Sequence, residues 1–235
     1  MPRTRLIAAN WKMNPPPAGW NEADSPYRPR TGLDVVVFPS FVDLDTCMKA
    51  GLTAGAQCGR SEEKGAFTGD VSMRMLKGPG CRYVLCGHSE RRKFHRETDG
   101  DVAAQAAAAF ALGITPVLCI GESAEERESG NAQKKVREQL QNISFPVVIA
   151  YEPVWAIGTG KSADPKNAQE MHAFIRSLLA SAEGKRTRIL YGGSVNEKNA
   201  AGFLAEPDID GFLVGGASLD PAAFRAIVEA AAQRP

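Results

Sequence analysis

Long hydrophobic runs and an excess of charge of one sign are both missing from this sequence. No apolar run approaches the roughly 20 residues that a helix needs to span a bilayer. The N-terminal stretch MPRTRLIAANWK also lacks the uninterrupted apolar core of a signal peptide. The formal net charge is +1, which gives no electrostatic reason to expect nucleic-acid binding. We therefore expect neither a membrane nor a nucleic acid as a partner.

Paired cysteines are missing as well. The five cysteines are odd in number and form no CxxC motif, and the three histidines are scattered. This pattern indicates neither a disulfide framework nor a zinc site. We expect reduced thiols, a cytoplasmic location, and no metal or other cofactor. The cysteines are Cys47, Cys58, Cys81, Cys86 and Cys119.

What the sequence does contain is a series of short apolar runs separated by helical segments. Most of the runs are apolar on both faces, which is typical of parallel strands covered by helices. The eight runs are RLIAAN (5–10), DVVVF (34–38), TAGAQC (53–58), RYVLCG (82–87), TPVLCI (115–120), VVIAY (147–151), RILYG (188–192) and DGFLVG (210–215).

Several of the intervening segments carry helix start signals. Ser123 and Glu126 form a capping-box pattern, and the Asp-Pro pairs at 164–165 and 220–221 place an N-cap before a helical proline. Eight strands alternating with helices in 235 residues favour an α/β chain folded as a closed (β/α)8 barrel, one domain over 1–235. A doubly wound open sheet is the structural alternative.

Polar side chains follow several of the predicted strands, at the end where such barrels hold their active sites. Asn10 and Lys12 follow the first run, His88 follows the fourth, and Glu152 follows the sixth. Each has a plain alternative: Lys12 as a surface lysine, His88 as a structural histidine, Glu152 as half of a salt bridge. Together they bring a cation, an imidazole and a carboxylate to one face of the barrel.

Glycine-rich turns follow the last two strands, as GGS at 192–194 and GGAS at 215–218. Barrels often bind phosphate at these two positions, because backbone N–H groups can hold the anion there. A third stretch, GTGKS at 158–162, imitates the end of a P-loop. That motif requires glycine at position 155, where this chain has Trp155, so the P-loop interpretation fails.

The motifs taken together resemble the triosephosphate isomerase family. The resemblance runs in order from about residue 5 to residue 230, and AYEPVWAIGTGK is its most specific part. The matching stretches are AANWKMN (8–14), EEKGAFTG (62–69), GHSERR (87–92), LCIGE (118–122), AYEPVWAIGTGK (150–161), LYGGSV (190–195) and DIDGFLVGGASL (208–219).

The resemblance implies an isomerase that interconverts dihydroxyacetone phosphate and D-glyceraldehyde 3-phosphate through an enediolate, a step of glycolysis and gluconeogenesis. It implies that Glu152 is the base, that His88 polarises the carbonyl, and that Lys12 and Asn10 stabilise and bind the enediolate. Residues 153–163 would form a lid over the substrate. The residues implied to surround the phosphate are Gly158, Ser194, Leu213, Gly215 and Gly216.

The resemblance also implies a homodimer. In the family, the loop that ends in GAFTG reaches the partner's active site, and Thr68 would do so here. The four residues before EEKGAFTG depart from the family pattern at 58–61 (Cys-Gly-Arg-Ser). This departure puts the packing of the loop's stem in question, although not the loop itself.

A second departure is the segment after WKMN, where the family has a sizeable helix. This chain has prolines at 15, 16, 17, 26 and 29, and a proline inside a helix costs about 3 kcal/mol. We predict that the first helix is shortened or replaced by an irregular segment. We expect Trp20 and Tyr27 to cover the apolar flank of the first two strands.

Two other functions stay open from the residues alone. A different phosphosugar enzyme on the same fold would need another carboxylate or a Schiff-base lysine inside the barrel. A non-catalytic phosphate-binding barrel would have lost Lys12, His88 or Glu152, and all three are present.

Overall fold

Eight parallel strands form the centre of the protein, in a computed structural model that describes residues 3–156, 164–179 and 184–233. Their order is β2-β1-β8-β7-β6-β5-β4-β3. A parallel bridge between Val37 and Ala54 joins β2 to β3 and closes the ring, so the predicted (β/α)8 barrel is confirmed. The strands are β1 (Leu6–Asn10), β2 (Asp34–Phe38), β3 (Gly55–Ala56), β4 (Tyr83–Cys86), β5 (Thr115–Ile120), β6 (Val148–Tyr151), β7 (Ile189–Tyr191) and β8 (Gly211–Val214).

The alternation of side chains along each strand divides the core into two layers. In β1, Leu6 and Ala8 belong to a small cluster inside the barrel, whereas Ile7 and Ala9 belong to a larger cluster shared with the helices. Both faces of the strands are therefore buried, which is why the runs are apolar without interruption.

Nine α-helices lie among the described residues. The capping box at Ser123 and the Asp-Pro starts at 164–165 and 220–221 are formed as predicted. Among the described residues, no helix is long and apolar enough to cross a membrane. The helices are α1 (Phe41–Lys49), α2 (Met73–Lys77), α3 (Ser89–His95), α4 (Asp99–Ala111), α5 (Ala124–Glu128), α6 (Ala132–Leu140), α7 (Pro165–Leu178), α8 (Ala200–Leu204) and α9 (Pro221–Ala232).

β3 is shorter than the run at 53–58 predicted. Gly55 packs so tightly that an added Cβ would lie 2.4 Å from the Phe38 ring. The next residue after the strand, Gln57, turns its amide away from the ladder and donates to the carbonyls of Phe38 and Lys12, at 2.9 and 2.7 Å. Gln57 therefore binds the end of β2 and the loop after β1 through its side chain and does not extend β3.

The connection between β1 and β2 contains no helix. All of residues 11–33 are described, and they form turns and one antiparallel bridge between Arg30 and Leu33. We call residues 15–31 the proline-rich wrap. The predicted replacement of the first helix is thus confirmed. Tyr27 is fully buried and Trp20 is half-buried against the outer core cluster.

Backbone hydrogen bonds of successive turns stabilise the wrap, and its side chains donate further bonds to backbone carbonyls. Ser25 Oγ donates to the carbonyl of Trp20 at 2.7 Å. The Arg28 guanidinium donates to the carbonyls of Glu22 and Asn21, both at 2.6 Å, and to that of Ala50 at 3.2 Å. Since Ala50 caps the end of α1, Arg28 ties the wrap to the neighbouring helix.

Candidate active site

A cleft of about 240 Å³ opens at the carboxyl ends of the strands. It brings together eight of the nine predicted site residues, and the ninth, Gly158, lies outside the described residues. The predicted lid also lies partly outside them, at 157–163. The predicted site residues that line the cleft are Asn10, Lys12, His88, Glu152, Ser194, Leu213, Gly215 and Gly216.

Lys12 is placed in the cleft by an unusual backbone conformation. Its φ is 51°, in the left-handed region that non-glycine residues seldom adopt. The Asn10 side chain accepts a hydrogen bond from the Lys12 N–H at 3.0 Å, and Gln57 donates to the Lys12 carbonyl. Asn10 therefore fixes the lysine's backbone, in addition to presenting its own amide to the cleft.

The Lys12 ammonium is paired with a carboxylate from another element. Its Nζ lies 2.6 Å from Glu90 Oε1, and Glu90 is in the first turn of α3. Both side chains are partly exposed, so water screens the pair. The pair holds the lysine's charge over the cleft and does not bury it.

His88 is the N-cap of α3. Its Nδ1 accepts a hydrogen bond from the Glu90 N–H at 3.2 Å. A nitrogen that accepts carries no proton, so the neutral imidazole has its proton on Nε2, which points into the cleft toward Glu152 Oε1 at 3.2 Å. The helix N-terminus therefore fixes both the tautomer of His88 and the direction of its donor.

Glu152 follows β6 and is almost completely buried. Its Oε2 accepts from the N–H of Ser89 at 2.8 Å, and its Oε1 faces His88. The backbone of Glu152 lies very close to the end of β5. A Cβ added at Gly121 would lie 1.8 Å from the Glu152 carbonyl oxygen. Only glycine at 121 permits this approach, which sets the depth of the carboxylate in the cleft.

The far side of the cleft is built from the two glycine-rich turns. Gly216–Leu219 forms a 3-10 turn after β8, and Ser218 ties it to Gly215 by donating from its N–H and its Oγ to the Gly215 carbonyl, at 2.8 and 2.7 Å. Ser194, in the turn after β7, donates from Oγ to the Ala156 carbonyl at 2.8 Å.

Comparison with known proteins identifies the family. A family model described as triosephosphate isomerase matches residues 5–231. The chain belongs to the triosephosphate isomerase family.

Individual relatives match along nearly their whole length. The triosephosphate isomerase of Paracidovorax citrulli is 47% identical, over 99% of this chain and 100% of its own. That of Symbiobacterium thermophilum is 45% identical, over 98% of both chains. That of Thermus thermophilus is 44% identical, over 97% of this chain and 99% of its own. The family assignment made from the sequence is confirmed.

Sequence reasoning did not select the groups that hold the predicted site residues in place. Glu90 and Gln57 bond to Lys12 from 78 and 45 residues away, and the Ser89 N–H that holds Glu152 is a backbone group. One signal was available for Glu90, since GHSER follows a predicted strand and opens a helix.

A second supporting group is Glu122, which is fully buried after β5. Its Oε1 accepts from Arg127, Tyr151 Oη and Trp155 Nε1, each at 3.0 Å. These bonds join the ends of β5 and β6 to the 3-10 turn Val154–Ala156. Glu122 therefore anchors the near end of the segment that follows Glu152.

Cys119, near Glu152, is a packing residue of the cluster inside the barrel. Burial, and then the Glu152 carboxylate, raise the pKa of the Cys119 thiol well above its usual value, so it stays protonated inside the barrel. Among the described residues, no group of three or more His, Cys, Asp or Glu side chains is arranged to hold a metal ion.

Proposed function

We propose that this chain interconverts dihydroxyacetone phosphate and D-glyceraldehyde 3-phosphate by proton transfer through an enediolate. The observation that carries the proposal is the Glu152 carboxylate 3.2 Å from the protonated Nε2 of a neutral His88, in one cleft with the Lys12 ammonium. Removal of a proton next to a carbonyl requires a base and an electrophile at the same time, and this pair supplies both.

In the proposed reaction, Glu152 removes a proton from one carbon beside the carbonyl and returns it to the other. His88 donates a hydrogen bond from Nε2 to the substrate oxygens on which negative charge develops. Lys12 supplies a fixed positive charge for the enediolate, and Asn10 binds the substrate beside it. The Ser89 N–H now bonds to Glu152 Oε2, so the carboxylate gives up this bond when it approaches the substrate carbon.

The phosphate is proposed to lie against the turns after β7 and β8, which contribute Ser194, Leu213, Gly215 and Gly216. Backbone N–H groups in such turns bind a dianion without adding titratable charge. Gly216 lines the cleft, and a Cβ added to it would meet no other atom within 4 Å, so the space beside it is open. The role of Gly158 stays a prediction, since that residue lies outside the described ones.

An activity assay tests this proposal. With D-glyceraldehyde 3-phosphate as substrate, a coupled assay is expected to detect dihydroxyacetone phosphate, and inorganic phosphate is expected to inhibit competitively. If the folded protein turned over neither triose phosphate, the isomerase function would be wrong, and the non-catalytic phosphate-binding barrel would take its place.

We further propose that the chain works as a homodimer through the loop that contains Thr68. The loop residues 62–70 are all exposed in the single chain. So is Met13, beside the active-site lysine, with 95% of its surface accessible. A partner that covered Met13 would remove this apolar surface from water.

Sedimentation at micromolar concentration tests the dimer. The wild type is expected to sediment as a dimer, and Thr68→Arg as a monomer with much reduced activity. Gln133→Arg is the matched control, because it adds the same charge at an exposed position of α6. A monomeric and fully active wild type would overturn the proposal.

The remaining proposals concern the whole chain. We propose one domain over 1–235, with a triose phosphate as small-molecule partner and the cytoplasm as location. In support, the barrel uses strands from both ends of the chain side by side, and all five cysteines are free.

A further inference from the structure

The proline-rich wrap reaches the edge of the active site through one side chain. Tyr27 is fully buried, and its Oη donates a hydrogen bond to the carbonyl of Ser218 at 2.7 Å, across 191 positions of the sequence. Ser218 is in the 3-10 turn that carries Gly216. A segment that replaces an outer helix is thus connected directly to the turn on the far side of the cleft.

The ring of Tyr27 is held from two sides. It packs edge-on against Trp11, with ring centroids 5.3 Å apart, and stacks on Phe224 at 4.8 Å. Trp11 lies between Asn10 and Lys12 in the chain, and Phe224 is in the first turn of α9, directly after the 3-10 turn. Tyr27 therefore contacts the β1 loop and the start of α9 and bonds to the turn between them.

The hydrogen bond fixes the outer end of the turn. Ser218 donates to the Gly215 carbonyl through its N–H and its Oγ. Its own carbonyl is buried and needs a donor, and Tyr27 Oη supplies one. Burial, and then the Asp220 carboxylate, raise the pKa of Tyr27, so its hydroxyl stays a donor. With the donor removed, the carbonyl is left without this partner and the turn has one fewer constraint on its position.

We propose that Tyr27 is a positioning residue that holds the 3-10 turn at Gly216–Leu219 in the orientation that binds the substrate's phosphate. The proposal rests on the phosphate site proposed above. It gives the wrap a part in substrate affinity, in addition to covering the barrel.

The Tyr27→Phe variant tests it, because phenylalanine keeps both ring contacts and removes only the hydroxyl. The variant is expected to raise KM for D-glyceraldehyde 3-phosphate, and Ki for inorganic phosphate, by about 3- to 10-fold, the effect of losing one buried hydrogen bond. The turnover of glyceraldehyde, which has no phosphate, is expected to stay within about two-fold of wild type.

Ser25→Ala is the matched control. It removes a buried hydroxyl that donates to the Trp20 carbonyl and accepts from the Tyr27 backbone N–H at 3.4 Å. The variant keeps the Tyr27 hydroxyl, which of the two hydroxyls is the one that bonds to the Ser218 carbonyl. It is expected to lower stability without changing Ki for phosphate. Equal changes in the two variants, or an equal loss of glyceraldehyde turnover in Tyr27→Phe, would show general loosening and overturn the positioning role. Unchanged phosphate affinity in Tyr27→Phe would overturn it as well.

A third variant tests the role of Tyr27 separately from the proposed phosphate site on which that role rests. Gly216→Val places a side chain where the phosphate is proposed to lie and is expected to raise Ki for inorganic phosphate by about ten-fold or more. If Gly216→Val weakens phosphate binding and Tyr27→Phe does not, only the role of Tyr27 is wrong. If Gly216→Val has no effect on Ki, the phosphate site itself is wrong, and the role of Tyr27 with it.

Discussion

At the scale of single residues, the cleft depends on a strained backbone at Lys12. A non-glycine residue at a φ of 51° costs about 1–3 kcal/mol, and such a conformation persists only where neighbouring groups enforce it. Asn10 and Gln57 do so here, through the N–H and the carbonyl of Lys12. The sequence placed Asn10 and Lys12 in the site because Asn10 ends an apolar run and Lys12 comes two residues later. It could not place Gln57, whose contact depends on how β3 ends.

His172 is a second residue whose environment has a measurable consequence. Burial lowers its pKa to about 4. Its Nδ1 lies 3.2 Å from the Asp208 carbonyl, which can only accept, so Nδ1 donates. Its Nε2 has no partner among the described residues. Besides burial, the Arg176 charge lowers the pKa of His172 and Asp208 raises it, and the ring of Tyr151 packs edge-on at 5.7 Å.

This environment predicts acid sensitivity. An unfolded histidine has a pKa of about 6.5, above the folded value, so the unfolded state binds a proton first as the pH falls. The contribution to stability is complete above pH 6.5 and is lost between pH 6.5 and 4. Between pH 7 and pH 5, the free energy of unfolding should fall by about 2 kcal/mol on account of His172.

Urea unfolding at pH 7 and pH 5 measures this loss. His172→Asn keeps a donor for the Asp208 carbonyl and removes the titrating group, so its loss between the two pH values should be smaller by about 2 kcal/mol. His95→Asn, changed at an exposed histidine, should keep the wild-type difference. An identical loss in wild type and His172→Asn would contradict the assignment.

At the scale of elements, the altered stem at 58–61 is closed by Arg60. Its backbone pairs with Val71 and Met73 across the base of the loop. Its guanidinium bonds to both oxygens of Glu62 and to Asp70, at 3.0–3.1 Å, and lies 3.8 Å from the centre of the Phe67 ring. Arg60, which belongs to the stretch that departs from the family pattern, therefore stabilises the loop through contacts within it.

These contacts predict a role for Arg60 in dimer formation. The guanidinium bonds to residues on both sides of Thr68. Without these bonds, in Arg60→Ala, the loop should be more mobile in the monomer and lose more conformational entropy when the dimer forms. We expect the dimer to dissociate about ten-fold more readily, the effect of one or two side chains that must be ordered on binding. Sedimentation over a concentration series measures the dissociation constant.

Arg74→Ala serves as the control, since it removes an exposed arginine of the neighbouring α2. It should dimerise like the wild type. An unchanged dissociation constant in Arg60→Ala would mean that the loop keeps its shape without this arginine.

The strands and the wrap show which elements a sequence can reveal. The eight strands were predictable because each is a mostly apolar run with a polar boundary. β3 is four residues shorter than its run, and no other strand is shorter by more than two. Proline content predicted that the first helix is shortened or replaced between β1 and β2, yet it could not say by what. The replacement depends on contacts of Tyr27 with Ser218 and of Arg28 with Ala50, which no local pattern records.

At the scale of the whole molecule, the barrel separates its chemistry from its outer layer. The residues proposed to act on substrate follow strands or open turns at one end of the barrel. The proline-rich wrap lies on the outer side of the barrel, where Trp20 and Tyr27 pack against the core cluster shared with the helices. We therefore expect catalysis to be retained, with the wrap's influence limited to stability and, through Tyr27, to phosphate affinity.

The most direct test of this account compares kcat of the wild type and of Glu152→Gln for D-glyceraldehyde 3-phosphate. Glutamine keeps the size of the side chain and an acceptor for the Ser89 N–H, but it cannot take a proton. If Glu152 is the base, kcat should fall by about 10³-fold or more, with circular dichroism and dimer mass unchanged. A folded Glu152→Gln dimer with kcat within ten-fold of wild type would show that another group moves the proton.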